Sequence, residues 1–149
     1  MSAEENKKLV QRVYADAANR TGKTFVDNLA DDACWVVTGQ YSWSHEFRGR
    51  AAILDGLMDH FRSFFASRPR TVAFNFIADG DHVAVEARGD NVTKTGQRYD
   101  NQYCMVFKIE GGRIKQIREY CDSTLVERVL GPFPQERKRS YSPRPEKTP

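Results

Sequence analysis

Cysteine is scarce in this 149-residue chain, and the three present, Cys34, Cys104 and Cys121, are an odd number. Each lies in an apolar run that reads as a strand. Buried free thiols in a reducing cytoplasm are therefore expected rather than a disulfide framework. The three histidines and three cysteines show no ligand spacing, and neither HExxH nor CxxC occurs, so no metal site is expected. GxGxxG, the P-loop and the GxSxG elbow are missing too, which removes nucleotide cofactors and serine-elbow chemistry. No stretch approaches the ~18 apolar residues of a membrane span. MSAEENKK has no apolar run behind it, so no signal peptide is expected and the cytoplasm is the expected compartment. Charge of one sign is also lacking. The net charge of +3 comes from residues 131–149, which hold five basic and two acidic residues. The remainder is close to neutral, so neither nucleic acid nor membrane is expected as a partner.

Proline is nearly absent before residue 131, where Pro69 stands alone; the other five of six lie in GPFPQERKRSYSPRPEKTP. That composition predicts a mobile tail over 131–149 after one domain at 1–130. The chain as a whole is 40% hydrophobic and 29% charged, as in an ordinary globular protein. Leu9, Val10, Val13, Tyr14 and Ala17 make an amphipathic stripe that predicts a helix over 4–20. A short second helix follows, with Phe25, Val26 and Leu29 on its buried side. CWVVT (34–38) predicts a strand, and an aromatic loop carrying Tyr41, Trp43, His45 and Phe47 comes after it. A third helix is expected from about Arg50 to Ala66, ended by Pro69. Four strand signals follow at 71–78, 82–93, 98–109 and 113–121, with turns at Asp79-Gly80-Asp81, Thr95-Gly96-Gln97 and Gly111-Gly112. Helices first and an antiparallel meander after them predict an α+β domain.

Period-2 alternation then sorts the strand side chains. In IKQIREYCD (114–122), Ile117, Glu119 and Cys121 share a face, and Ile114, Gln116, Arg118 and Tyr120 the other. An ionisable acid between an isoleucine and a cysteine implies an open face or a cavity that uses a carboxylate. Glu86, Arg88 and Asp90 likewise share a face, opposite Val83, Val85, Ala87 and Gly89. Two carboxylates and a guanidinium in one cavity can divide roles, one acid held ionised as a base and the other kept protonated by burial. On an open sheet the same pattern is a salt-bridge ladder. Asn101, Tyr103 and Met105 share a face of the neighbouring strand, where the first two can orient a substrate oxygen or serve packing.

Three stretches, in this order and spacing, resemble the SnoaL-like, ketosteroid-isomerase-related branch of the nuclear transport factor 2-like superfamily. They are LADDACWVVTG (29–39), FRGRAAI (47–53) and TGQRYDNQYCMVFKIEGGRIKQIREYCD (95–122). The resemblance implies a cone, in which a curved antiparallel sheet wraps three helices around a deep pocket. It also implies a homodimer, and a choice among isomerases, cyclases, dehydratases, lyases, epoxide hydrolases and non-catalytic modules. The two acids of ketosteroid isomerases would fall on Val37 and Met105, so that chemistry is not expected. The Asp-Arg-Asp unit of limonene-type epoxide hydrolases is matched by Arg88, Asp90 and Glu119, but its water-holding tyrosine and asparagine fall on Trp35 and Val37. The resulting expectation is a cofactor-independent acid/base enzyme acting on a small hydrophobic, oxygenated molecule. Its expected catalytic residues are Asp90, Glu119 and Arg88. Tyr14, His45, Asn101 and Tyr103 are the expected polar anchors, and Trp35, Phe47 and Met105 the apolar wall. A non-catalytic ligand-binding or dimerisation module is the alternative from another class.

Overall fold

The computed structural model of the protein describes residues 2–141. The first helix, α1 (Ala3–Ala18), starts where the Ser2 hydroxyl accepts the Glu5 N–H at 3.1 Å, and it buries the Leu9, Val10, Val13 and Tyr14 stripe. Its end is unusual. The N–H groups of Arg20 and Thr21 bond back to the carbonyls of Ala17 and Asp16, and the left-handed position is Arg20, at φ 61°, although Gly22 stands two residues on. After α2 (Lys23–Asn28) come β1 (Leu29–Val37) and β2 (His45–Arg48). The third helical stretch is wound as a π-helix over Ala52–Met58, with the Asp59 N–H reaching the Leu54 carbonyl, and continues as α3 (Asp59–Arg62).

The meander follows as β3 (Thr71–Asp79), β4 (His82–Gly89), β5 (Gln102–Glu110) and β6 (Arg113–Cys121). All six strands form one curved, unclosed sheet in the order β2-β1-β6-β5-β4-β3. Every pairing is antiparallel except β1 with β6. Gly111 and Gly112 join β5 to β6 with φ of 57° and 74°, the doubly left-handed turn that two glycines adopt without strain. The β5–β6 register slips between Lys108 and Ile109. This bulge lets Ile114 and Ile117 both point inward although they are three apart, where strict alternation had put them on opposite faces.

The helices cover the concave side of the sheet, and the buried Val83, Val85, Ala87, Met105, Phe107 and Ile117 form its inner surface. Past β6, the Asp122 carboxylate caps α4 (Ser123–Val129) by accepting the Leu125 N–H. The chain then crosses the π-helix as α5 (Gln135–Tyr141). Residues 131–141 are therefore docked, where composition predicted a mobile tail; residues 142–149 lie outside the described residues. Phe133 explains the difference. It is 2% exposed, packs edge-on against Trp43 and Phe47, and its N–H is accepted by the Ser42 hydroxyl. Arg137 donates to the Gly56 and Asp55 carbonyls, and the Tyr141 ring lies where a Cβ on Gly56 would stand. The Phe133 ring anchors the segment, and together with the Arg137 and Gln135 hydrogen bonds and the Tyr141 packing it opposes the entropy that the proline and charge content would otherwise leave dominant.

Candidate functional site

A cavity of about 220 Å³ opens within the cone, lined mostly by apolar and aromatic side chains. Its wall includes Phe25 from α2, Leu57 and Met58 from the π-helix, and Met105 and Phe107 from β5. Among its described lining residues the one carboxylate is Glu119. The β6 backbone holds that residue in place. Thr38 donates to the Glu119 carbonyl through its N–H (3.2 Å) and its hydroxyl (2.6 Å), while the residue pairs with Val37 on one side and Met105 on the other.

The Glu119 side chain accepts a hydrogen bond from the Trp35 indole N–H at 3.1 Å. Besides Trp35, only the Cys121 thiol is hydrogen-bonded to it among the described residues. Desolvation therefore outweighs the Trp35 and Cys121 hydrogen bonds and raises the carboxyl from its ordinary 4.5 to about 7. Cys121, next along the same face, lies 3.4 Å from the Tyr41 hydroxyl, and burial pushes its thiol up to about 12. It remains a neutral SH at physiological pH.

Four tyrosines, Tyr14, Tyr41, Tyr99 and Tyr103, face the cavity with Glu119. Burial raises all four, and the nearby Glu119 raises them further, so each stays a protonated donor. Tyr14 is clamped edge-on between the rings of Phe76 and Phe107. Tyr99 is set by Asn101, which is fully buried and does not line the cavity. The Asn101 carbonyl accepts the N–H groups of Gln102 (2.8 Å) and Asp122 (3.0 Å), which fixes the direction of its amide. The Asn101 NH2 then donates to the Asp122 carbonyl and to the Tyr99 hydroxyl oxygen at 2.9 Å. Because Tyr99 accepts here, its own proton is not taken up by Asn101, and its hydroxyl is linked onward to that of Tyr103 at the cavity wall.

Of the expected site residues, Glu119, Tyr14, Trp35, Tyr103 and Met105 line the cavity. Arg88 and Asp90 do not, which corrects the expected triad. Val83, Val85 and Ala87 take the inward positions of β4, so Glu86 and Arg88 point out to solvent, and Glu86 accepts from Asn75. Asp90, just past β4, is clamped by Arg70 (2.8 Å) and Arg98 (2.7 Å). The Arg98 contact and then Arg70 hold its carboxyl below the ordinary range, so it stays ionised as a surface pin. Without those two residues the epoxide-hydrolase arrangement does not assemble. His45 and Phe47 also fall outside the cavity lining. They stack edge-on at 4.8 Å, and Phe47 is buried against Phe133. Burial, followed by Lys138, pushes the His45 imidazole below its ordinary value. Asn101 acts through Tyr99 rather than touching the cavity. The sequence reading left out Tyr99 as a lining residue; the alternation that groups Asn101, Tyr103 and Met105 extends back to it within the expected 98–109 strand and could have found it. Among the described residues, no three His, Cys, Asp or Glu side chains are grouped to hold a metal ion.

No curated protein matches the sequence. Solved structures do match the fold. Bal32a, from a soil-derived mobile gene cassette, is 24% identical with a TM-score of 0.70, over 86% of this chain and 96% of that one. A proposed SnoaL-like polyketide cyclase from Jannaschia sp. CCS1 is 17% identical with a TM-score of 0.70, over 86% and 92%. An NTF2-like protein from Burkholderia pseudomallei K96243 is 20% identical with a TM-score of 0.72, over 87% and 98%. The SnoaL-like domain family matches residues 10–117, spanning α1 through most of the sheet. The chain thus belongs to the SnoaL-like domain family, and its fold is that of NTF2-like structures.

Proposed function

We propose that the protein is a cofactor-independent acid/base enzyme of the cyclase or isomerase type, with Glu119 as its proton-transfer group. The observation that carries this reading is a single carboxylate, poised near neutrality, in an apolar cavity that also presents four protonated tyrosines. The cavity is smaller than the ~300–1,000 Å³ usual for drug-sized ligands, which favours a substrate of one or two rings. Likeness to a proposed polyketide cyclase supports the same reaction class.

The chemistry follows from which species each group can supply. Above about pH 7 Glu119 is a carboxylate, and it takes a proton from the carbon next to a substrate carbonyl. The C–H bond breaks, an O–H bond forms on Glu119, and the electron pair moves onto the carbonyl oxygen as an enolate. Tyrosine hydroxyls donate to that oxygen as its charge develops, Tyr99 being pre-set for this by Asn101. Return of the proton from Glu119 to another carbon completes an isomerisation. Attack of the enolate carbon on a second carbonyl, with the proton delivered to the new alkoxide, completes a cyclisation. Asp90 and Arg88 have no part in either step. The homodimer expected from the family resemblance belongs to this reading and is checked by sedimentation velocity.

The test uses a surrogate ketone, 2-tetralone, in D2O. The protein is expected to accelerate exchange of its α-protons with a rate that rises through about pH 7, and Glu119→Gln is expected to abolish the acceleration. Exchange at the solvent rate, or exchange unaffected by Glu119→Gln, overturns the proposal.

A further inference from the structure

The cavity mouth carries charge that acid/base chemistry at Glu119 does not use. Thr21, Gly22, Val26, Arg62 and Arg68 line both the inner cavity and a more open depression outside it. That outer depression holds four cations, Arg20, Lys23, Arg62 and Arg68, against one carboxylate, Asp27. Three of the cations are committed. Lys23 pairs with Asp27 at 2.5 Å, Arg62 pairs with Asp59 at 3.1 Å, and Arg20 donates to the Arg68 carbonyl at 2.7 Å. Among the described residues no hydrogen-bond or ion-pair partner falls to the Arg68 guanidinium. It stands at the rim over Gly22, where an added Cβ would lie 3.2 Å from its Nη2. Gly22 has no side chain, so the fork is free to sit there.

The backbone below Arg68 is held at a cost. Arg20 adopts the left-handed conformation that glycine normally supplies at a helix end, and it does so while gripping the Arg68 carbonyl. The tether ties the end of α1 to the segment that carries the unpaired guanidinium.

We propose that the mouth is a carboxylate-binding site, so that the ligand is an apolar ring body bearing one carboxylate, bound head-out to Arg68. The proposal rests on the reading of the cone as the substrate cavity. A planar guanidinium matches a carboxylate in a bidentate fork, and Arg68 is the one guanidinium at the mouth with no partner among the described residues. Orientation follows from Glu119, which lines the inner cavity and not the outer depression. Glu119 in its ionised form repels a carboxylate, so the charged head lies at the rim and the ring lies against Glu119 and the tyrosines.

The experiment compares 2-naphthoate with the neutral 2-naphthamide by isothermal titration calorimetry at pH 8, with the full chain and Arg68→Gln, in 50 and 500 mM NaCl. The expected result is a preference for naphthoate of about fivefold in 50 mM salt, a magnitude set by a partly exposed charged pair. The preference should shrink in 500 mM salt and vanish in Arg68→Gln, while naphthamide binds both proteins alike and the two melt at the same temperature. Equal affinity for the two probes, or a preference that survives Arg68→Gln, overturns the carboxylate site and leaves the cavity reading standing. If neither probe binds, both readings fall together.

Discussion

Glu119 and Asp90 are two carboxylates that the sequence placed in one constellation, and the fold gives them opposite surroundings. Glu119 lines the cavity with only the Trp35 indole N–H and the Cys121 thiol hydrogen-bonded to it among the described residues, and it is held near neutrality. Asp90 sits at the sheet rim between two guanidinium groups and stays ionised. The chemical type is the same in both. Desolvation without a cationic partner makes a proton carrier, whereas a salt bridge in water makes a pin.

The largest expected effect is on Glu119. Substitution Glu119→Gln should cost about 10²- to 10⁴-fold in 2-tetralone exchange. It should also stabilise the fold, because the Glu119 carboxyl binds its proton more tightly folded than unfolded. Stability therefore falls as pH rises from about 4.5 through about 7. The glutamine variant escapes that loss, so at pH 8 it should exceed the natural protein by up to about 3 kcal/mol, and at pH 4 by close to nothing. Urea unfolding at the two pH values reads this directly. Asp90 has the opposite sign: its folded value is depressed, so its contribution is present above the ordinary carboxylate range and fades only in acid.

Next in size is Asn101→Ala. It leaves two part-buried backbone N–H groups without their acceptor and releases Tyr99, so a loss of about 2 kcal/mol is expected in the same unfolding assay. A smaller effect is expected from Trp35→Phe, which removes the donor that steadies the Glu119 charge. The pH–rate midpoint should move upward by about one pH unit. The smallest belongs to Asp90→Asn. It should leave exchange and its pH profile unchanged and lower the melting temperature slightly, more at low salt than at high. An Asp90→Asn profile that shifts like that of Trp35→Phe would erase the distinction between the two carboxylates.

Five of the six strands, the turns and the face of Glu119 were legible because alternation and paired glycines are local signals; β2 lay inside the expected aromatic loop, and β4 and β5 are shorter than the expected 82–93 and 98–109. Alternation says which residues share a face, not which face turns inward. For β4 the decision lay in Val83, Val85 and Ala87, whose apolar row belongs to the concave side and sends Arg88 outward. The bulge near Lys108 could not be read from either strand alone, since it is a property of their pairing. The docking of 131–141 is anchored by one ring, Phe133, inside a segment whose composition argued for disorder. The left-handed Arg20 was hidden for a related reason. A glycine two residues later offered the cheaper conformation, and only the carbonyl of Arg68, 48 residues away, shows why arginine holds the position.

The central claim is that the cone keeps Glu119 near neutrality, and a direct titration tests it. The protein labelled with 13C at the glutamate side-chain carboxyl, with Glu119→Gln assigning the resonance, is followed by NMR from pH 3 to 9. A midpoint close to 7 is the expected result; a midpoint at or below the ordinary 4.5 would contradict the account.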